Sequence, residues 1–137
     1  MKIKLIKPED FTKLLTLWKE AGLSVANFER EQQELLMLLK FNPDSCLIAT
    51  VNKKIVGSII GTFNGRRVWI YHLAIHPKWQ KKGFGSKLLK TVEKILKNKG
   101  ATKILLWVSF NNLPTCTFYE KSGYSVMNDA ILMSKEL

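Results

Sequence analysis

An α+β fold in one domain is what this sequence predicts, and three observations carry it. Short apolar stretches at Cys46–Val51, 55–63 and 66–75 follow one another with only turn residues between them, the pattern of an antiparallel meander. Helical spacing governs Phe11, Leu14, Leu15 and Trp18, and again Leu88, Leu89, Val92, Ile95 and Leu96. From residue 68 to residue 108 a strand, a glycine turn, a helix and a second strand succeed one another in the order of a right-handed parallel crossover. At 137 residues the chain fits one domain and can bury a substantial core.

The elements follow in chain order. Ile3 and Leu5 alternate with lysines, which predicts a first strand. Pro8-Glu9-Asp10 opens a helix, with proline in the first turn and acids at the positive end of its dipole, and Gly22 ends it. After a connector, a second helix is expected over 29–40, with Leu35, Leu36, Leu38 and Leu39 on its apolar side and Asn42-Pro43-Asp44 as its breaker. Asn52-Lys53-Lys54 joins the first two strands of the meander, and Asn64-Gly65 is a two-residue hairpin motif joining the second to the third. In the third strand Trp69, Tyr71 and Leu73 share one alternation, and Val68, Ile70, His72 and Ala74 the other. A helix over 87–99 carries Lys87, Lys90, Lys94 and Lys97 on its polar face, and Gly100 fits its C′ position. Residues 104–108 read as a buried strand. Asn111-Asn112-Leu113-Pro114 starts a last helix with an Asn cap and a first-turn proline, stopping at Gly123. Residues 124–127 and 131–134 read as short closing strands.

Composition sets further bounds. An apolar share of 46% and a charged share of 24% are those of a soluble globular protein. No apolar run approaches the ~20 residues of a membrane span, and no apolar h-region follows the basic N-terminus, so a cytoplasmic protein is expected. Cys46 and Cys116 lack metal-ligand or CxxC spacing, which predicts reduced thiols and no metal. The formal charge is +11, and nine of the 22 basic residues fall between Lys78 and Lys103, opposed there only by Glu93. Such a patch suits an anionic ligand, a nucleic acid or an acidic protein, or is a solvated lysine face.

The patch surrounds Gln80-Lys81-Lys82-Gly83-Phe84-Gly85-Ser86, a glycine turn between a strand and a helix. A helix start exposes N–H groups without intrahelical partners and carries the positive end of the macrodipole. Glycines let a ligand approach that backbone, and the lysines add charge, so the stretch reads as a phosphate site. It is not a P-loop, because the Gly83-Phe84-Gly85-Ser86-Lys87 spacing is too short. Nor is it a dinucleotide fingerprint: Leu88 stands where a third glycine is needed, and Lys103 lies near the required acid.

The turn does resemble the Q/R-x-x-G-x-G/A motif of the GNAT superfamily of acyl-CoA-dependent N-acetyltransferases. Leu73-Ala74-Ile75-His76-Pro77 is similar to the strand ending that precedes the turn in that family. Residues 112–124 are similar to its N-x-x-A-x-x-F-Y-E-K-x-G-F/Y signature, with Thr115 in place of Ala. Within the superfamily the chain is most similar to small bacterial RimI-like and YpeA-like proteins. The resemblance implies a three-layer α/β/α sandwich around a mixed, mostly antiparallel sheet, splayed between Val68–Ile75 and 104–108. It also implies acetyl-CoA as donor: pyrophosphate on the turn Gln80, Lys81, Lys82, Gly83, Phe84, Gly85 and Ser86, pantetheine along Leu73, Ala74 and Ile75, and Asn112 on the cofactor's amide arm. Tyr119 matches the family's general acid, and its ordinary pKa of ~10 keeps it protonated at neutral pH; the other reading is a core aromatic.

Acetyl transfer needs a neutral amine, a stabilised oxyanion and a proton for the departing thiolate. Backbone N–H near Ile75 is a candidate for the oxyanion. No carboxylate lies between Asp44 and Glu93. That leaves His72 as the strand residue able to act as base, against the alternatives of a hydrogen-bonded strand histidine or a water relay. A site short of strong bases leans towards α-amines or low-pKa small amines. The expected acceptor pocket lies over residues 23–30, with Trp18, Asn27 and Phe28 as candidates. The expected partners are acetyl-CoA and an amine, with no membrane and no nucleic acid, the chain acting as monomer or homodimer. Two rivals are a basic nucleic-acid-binding module and a catalytically silent CoA sensor. The lysines lack interleaved aromatics, which argues against the first, and Tyr119 argues against the second.

Overall fold

The alternating middle of the chain becomes a five-stranded sheet whose strands lie side by side in sequence order. The computed structural model describes all residues 1–137, in two compact units, Met1–Leu106 and Trp107–Leu137. The sheet belongs to the first. Its strands are β1 (Lys2–Leu5), β2 (Cys46–Val51), β3 (Lys54–Phe63), β4 (Val68–Ile75) and β5 (Ile104–Leu105). The first four pair antiparallel, and β5 joins β4 in parallel. Helices α1 (Phe11–Glu20) and α2 (Phe28–Phe41) connect β1 to β2, and α3 (Phe84–Asn98) makes the crossover from β4 to β5.

Both faces of the sheet are covered by helices. Leu14, Leu17 and Trp18 of α1 and Leu35 of α2 pack with Ile48, Ile60 and Ala74 in one buried cluster. On the opposite face α3 presents Leu88, Leu89, Val92 and Leu96, all fully buried, one stripe at helical spacing. Gly57 and Gly61 of β3 face that stripe. The first unit is therefore the α/β/α three-layer arrangement around a mixed sheet. A Cβ at Gly61 would lie 2.7 Å from Val92 Cγ2 and 2.8 Å from Leu96 Cδ1. We expect Gly61→Ala to lower stability by about 1–3 kcal/mol through overpacking, seen as a lower urea midpoint at constant m-value. An unchanged midpoint would show that α3 gives way without cost.

Several elements depart from the sequence reading. The tight hairpin is at Asn52-Lys53, where both residues have positive φ (49° and 66°) and Val51 pairs with Lys54, as a two-residue type I′ turn requires. Asn64-Gly65 instead opens a four-residue loop between the Phe63↔Val68 pair, and Asn64 Oδ1 accepts both Arg66 N–H and Arg67 N–H at 2.9 Å. Helix α3 starts at Phe84, three residues before the expected Lys87, so Gly85 and Ser86 sit in its first turn. Strand β5 stops at Leu105. Leu36, 45% exposed, points away from the core that Leu35 enters.

In the second unit Ser109 Oγ accepts Asn111 N–H at 3.2 Å and caps a 3-10 turn at Phe110–Asn112. Helix α4 (Pro114–Lys121) follows with Leu113 at its N-cap position and no side-chain cap, so the expected asparagine cap does not form. The two closing strands do not form. Alternation supplies an apolar face, but a strand also needs a ladder partner; residues 124–137 have none, and Val126, Ile131 and Met133 are exposed. No helix is long and apolar enough to cross a membrane.

Candidate functional site

The least regular point of the sheet is His72. The β3–β4 register steps from Ser58↔Ala74 to Ile60↔Tyr71, so His72 and Leu73 together oppose Ile59, a β-bulge with one extra residue on β4. His72 takes φ 50°, a left-handed conformation that costs a non-glycine residue about 1–3 kcal/mol and persists only when its surroundings hold it. They do. Ser58 Oγ donates to the His72 carbonyl at 2.8 Å, and Trp18 Nε1 donates to the same Ser58 Oγ at 3.0 Å. The indole also lies against the imidazole, with ring centroids 4.3 Å apart. Trp18 is thus a buried support for His72, and Asn27 caps α2 by accepting Arg30 N–H at 2.9 Å. Phe28 packs edge-on against Phe11 at 5.1 Å.

Opposite His72 stands a residue that the sequence reading missed. Glu31 of α2 is buried; its Oε1 accepts Ala26 N–H at 2.8 Å, and its Oε2 lies 4.0 Å from His72 Nε2. Burial pushes the His72 pKa below the ordinary histidine value, and Glu31, then Glu34, oppose that shift. The ring is therefore neutral at pH 7, the state a base requires. His72 Nδ1 is buried and has no hydrogen-bond partner. The missed residue had a readable sign: Glu31 sits four positions before the buried Leu35, on the same helix stripe.

Beyond Trp69, β4 has no partner on the β5 side, because the parallel pairing covers only Val68↔Ile104 and Trp69↔Leu105. Leu73, Ala74 and Ile75 thus run along an open strand edge; Ala74 is buried, Leu73 and Ile75 half-buried. The turn that follows is tied back to this edge. Gln80 Nε2 donates to the Ile75 carbonyl at 3.0 Å. His76 Nδ1 accepts Lys78 N–H at 3.1 Å, and its Nε2 meets Glu20 Oε2 of α1 at 3.1 Å.

Lys81 (φ 61°) and Gly83 (φ 83°) are both left-handed, and Gly83 is the N-cap of α3. A Cβ on Gly83 would meet nothing within 4 Å, so the backbone there faces open space. Lys87 N–H is the first to reach an intrahelical carbonyl, that of Gly83 at 3.1 Å, leaving the N–H groups of Phe84, Gly85 and Ser86 ahead of the helix ladder. Phe84 stacks on Trp79 with centroids 5.7 Å apart, and Lys82 Nζ lies 5.9 Å from the Trp79 ring centre. This aromatic clip, also absent from the sequence reading, joins the two ends of the turn. A cleft of about 610 Å³ opens beside it, lined by Gly83, Ser86, Lys87, Lys90, Thr91 and Lys94. Backbone N–H, hydroxyl and ammonium groups without a carboxylate form a donor set that fits phosphates.

Asn112 and Tyr119 belong to the second unit. Asn112 closes the Ser109-capped turn and is exposed, its N–H donating to Ser109 O at 2.8 Å. Tyr119 on α4 is flanked edge-on by Phe118 (5.1 Å) and Tyr124 (5.6 Å), and burial pushes its phenol up to about 12. Cys116, one turn earlier, is a half-buried free thiol.

Comparison with known proteins bears on the fold and the family. The family model described as Acetyltransferase (GNAT) family matches residues 9–124. An acetyltransferase of Pectobacterium atrosepticum is 33% identical over 137 residues, covering 100% of this chain and 96% of that protein. Among solved structures, Ard1 from Thermoplasma volcanium superposes with a TM-score of 0.82 at 21% identity, over 92% of this chain and 83% of that one. The PaiA N-acetyltransferase from Thermoplasma acidophilum, solved in complex with coenzyme A, gives a TM-score of 0.78 at 22% identity, over 95% and 94%. With the mixed open sheet, the glycine-capped helix and a family match over most of its length, this chain belongs to the GNAT acetyltransferase family.

Proposed function

We propose that the protein moves an acetyl group from acetyl-CoA to a primary amine by direct attack in a ternary complex, its residues 1–137 acting as one domain. The observation that carries this reading is the glycine-capped start of α3, with its unladdered N–H groups, placed directly after the open edge of β4. When bound, acetyl-CoA supplies the activated thioester. The backbone of residues 81–86 holds its pyrophosphate, with Lys81 and Lys82 adding charge and Gln80 fixing the turn. Leu73, Ala74 and Ile75 offer the edge along which pantetheine runs as a further strand, and Asn112 takes the amide arm. Backbone N–H near Ile75 receives the developing oxyanion, a contact of a kind worth about 3–4 kcal/mol in the transition state. His72, neutral and facing an acid, removes the proton from the amine. Tyr119, held protonated by burial, donates to the departing sulfur.

Thermal denaturation with acetyl-CoA tests the first half of this reading. A ligand at 100 times its Kd stabilises by about 2.7 kcal/mol, a rise in Tm of roughly 10 °C for a chain of this size. Stabilisation by an oligonucleotide and none by acetyl-CoA would overturn the proposal in favour of nucleic-acid binding. Turnover of acetyl-CoA across peptides, polyamines, amino acids and aminoglycosides tests the second half.

A further inference from the structure

Resting on the acetyl-transfer reading, we propose that the gap between Glu31 and His72 is the seat of the acceptor's ammonium group, and that Glu31 is the residue that recognises it. The dimensions favour this. Glu31 Oε2 and His72 Nε2 are 4.0 Å apart, too far for a hydrogen bond to each other. A nitrogen placed about 2.9 Å from each would hydrogen-bond both. The other carboxylate oxygen is already committed to Ala26 N–H, which fixes the direction of Oε2. On the ring, Nδ1 is buried without a partner, so Nε2 is the nitrogen that faces the gap. Ser58 bonds the His72 carbonyl and Trp18 packs on its ring, contacts that favour this placement.

Electrostatics points to the same ligand. In a chain of net charge +11, the carboxylates acting on His72 are Glu31 and, one turn on, Glu34, both from α2. Trp18 and Ser58, the groups meeting it from α1 and β3, carry no charge. A buried carboxylate with an uncommitted oxygen wants a cation or a strong donor, and a primary ammonium is both. The lysine-rich start of α3 suits the anionic donor, whereas this corner suits a cationic acceptor.

The proton balance is simple. The bound R–NH3⁺ gives one proton to His72 Nε2: an N–H bond of the ammonium breaks and an N–H bond on the ring forms, leaving an imidazolium opposite Glu31. The neutral amine's lone pair then attacks the acetyl carbon. As the tetrahedral intermediate collapses, its C–S bond breaks, the amine's second proton passes to solvent, the departing thiolate takes a proton from solvent, and His72 returns its own proton to solvent.

The test uses Glu31→Gln, which can still accept Ala26 N–H and so keeps the start of α2. His72 and His76 are the chain's two histidines, so the imidazole ¹⁵N signals can be assigned with a His76→Asn control. Glycinamide, ethanolamine and spermidine are titrated at pH 7.5 in the presence of CoA. At least one should move the His72 Nε2 signal in the wild type, with affinity about 10–100-fold weaker in Glu31→Gln. The acceptor KM of whichever probe is turned over should rise by the same factor, while the KM for acetyl-CoA stays within twofold and Glu31→Asp recovers part of the loss. The inference is overturned if all three amines leave His72 unmoved, or if the variant binds them as tightly as the wild type. Failure of the acetyl-transfer reading is separate, because it shows as absence of the acetyl-CoA thermal shift in both proteins.

Discussion

Replacing Tyr119 with phenylalanine should lower kcat by about 10²–10³-fold, the cost of removing one preorganised donor from a developing charge. The KM for acetyl-CoA should hardly change, because the hydroxyl acts on the sulfur only as it departs. Its raised pKa defines how it acts. A phenol near 12 would give its proton to a thiolate of pKa ~8.5 only against a gradient of roughly 3.5 units, or about 5 kcal/mol. In the proposed mechanism Tyr119 therefore stabilises the sulfur by hydrogen bonding in the transition state, and the released thiolate is protonated by solvent. Two consequences follow. The phenol stays protonated through the working range, so no alkaline limb below about pH 11 belongs to it. And the loss in Tyr119→Phe should shrink when the donor is an acetyl thioester of an acidic aryl thiol, which needs little help to leave. Phenylalanine preserves the edge contacts with Phe118 and Tyr124, so the helix is not at risk. No loss with either donor would reduce Tyr119 to a packing residue, and an equal loss with both would take its hydroxyl away from the departing sulfur.

How far the sequence revealed this site depends on how local each feature is. Strand β2 was readable to the residue and β4 to its C-terminal end, since alternation and the flanking turn residues fix them without reference to neighbours. The phosphate turn was readable for the same reason. Its glycines, however, look like a turn from outside and form the first turn of α3 in the structure, so the helix start was placed late. The closing strands were misjudged because an apolar alternation does not say whether a ladder partner exists. The conformation of His72 lies further out of reach. It arises from a single extra residue in β4 counted against β3, and is held by a hydroxyl on β3 and an indole on α1. None of these is near it in sequence. Glu31 was missed because a glutamate in a first helical turn is explained by the dipole alone, and only its alignment with Leu35 sets it apart. The strands between Asp44 and Glu93 carry no carboxylate, and the acid beside His72 comes from a helix.

His72→Ala should lower kcat/KM at neutral pH by about 10²–10³-fold, and its clearest signature is a slope. The wild type takes the ammonium form and passes its proton to His72, so neutral His72 is its protonation requirement in the acid range, and burial sets that pKa below the ordinary value of ~6.5. For an acceptor with an α-amine of pKa ~8, its log kcat/KM should be flat between the two pKa values and fall with unit slope below that of His72. The alanine variant must take the amine already neutral, so its log kcat/KM should climb with unit slope all the way to about pH 8. Asparagine, which tolerates φ 50° better than alanine does, provides a second variant in case the bulge does not survive. Stability gives an independent reading of the same group. With the folded pKa depressed, the unfolded chain binds more protons once the pH falls below about 6.5, so the wild type loses stability there as pH drops. Both variants should lose the part of that dependence that His72 contributes, because no imidazole remains at position 72 to be charged on unfolding. A wild-type pH–rate profile in either variant would remove His72 from the chemistry and leave it as a strand residue strained for packing alone.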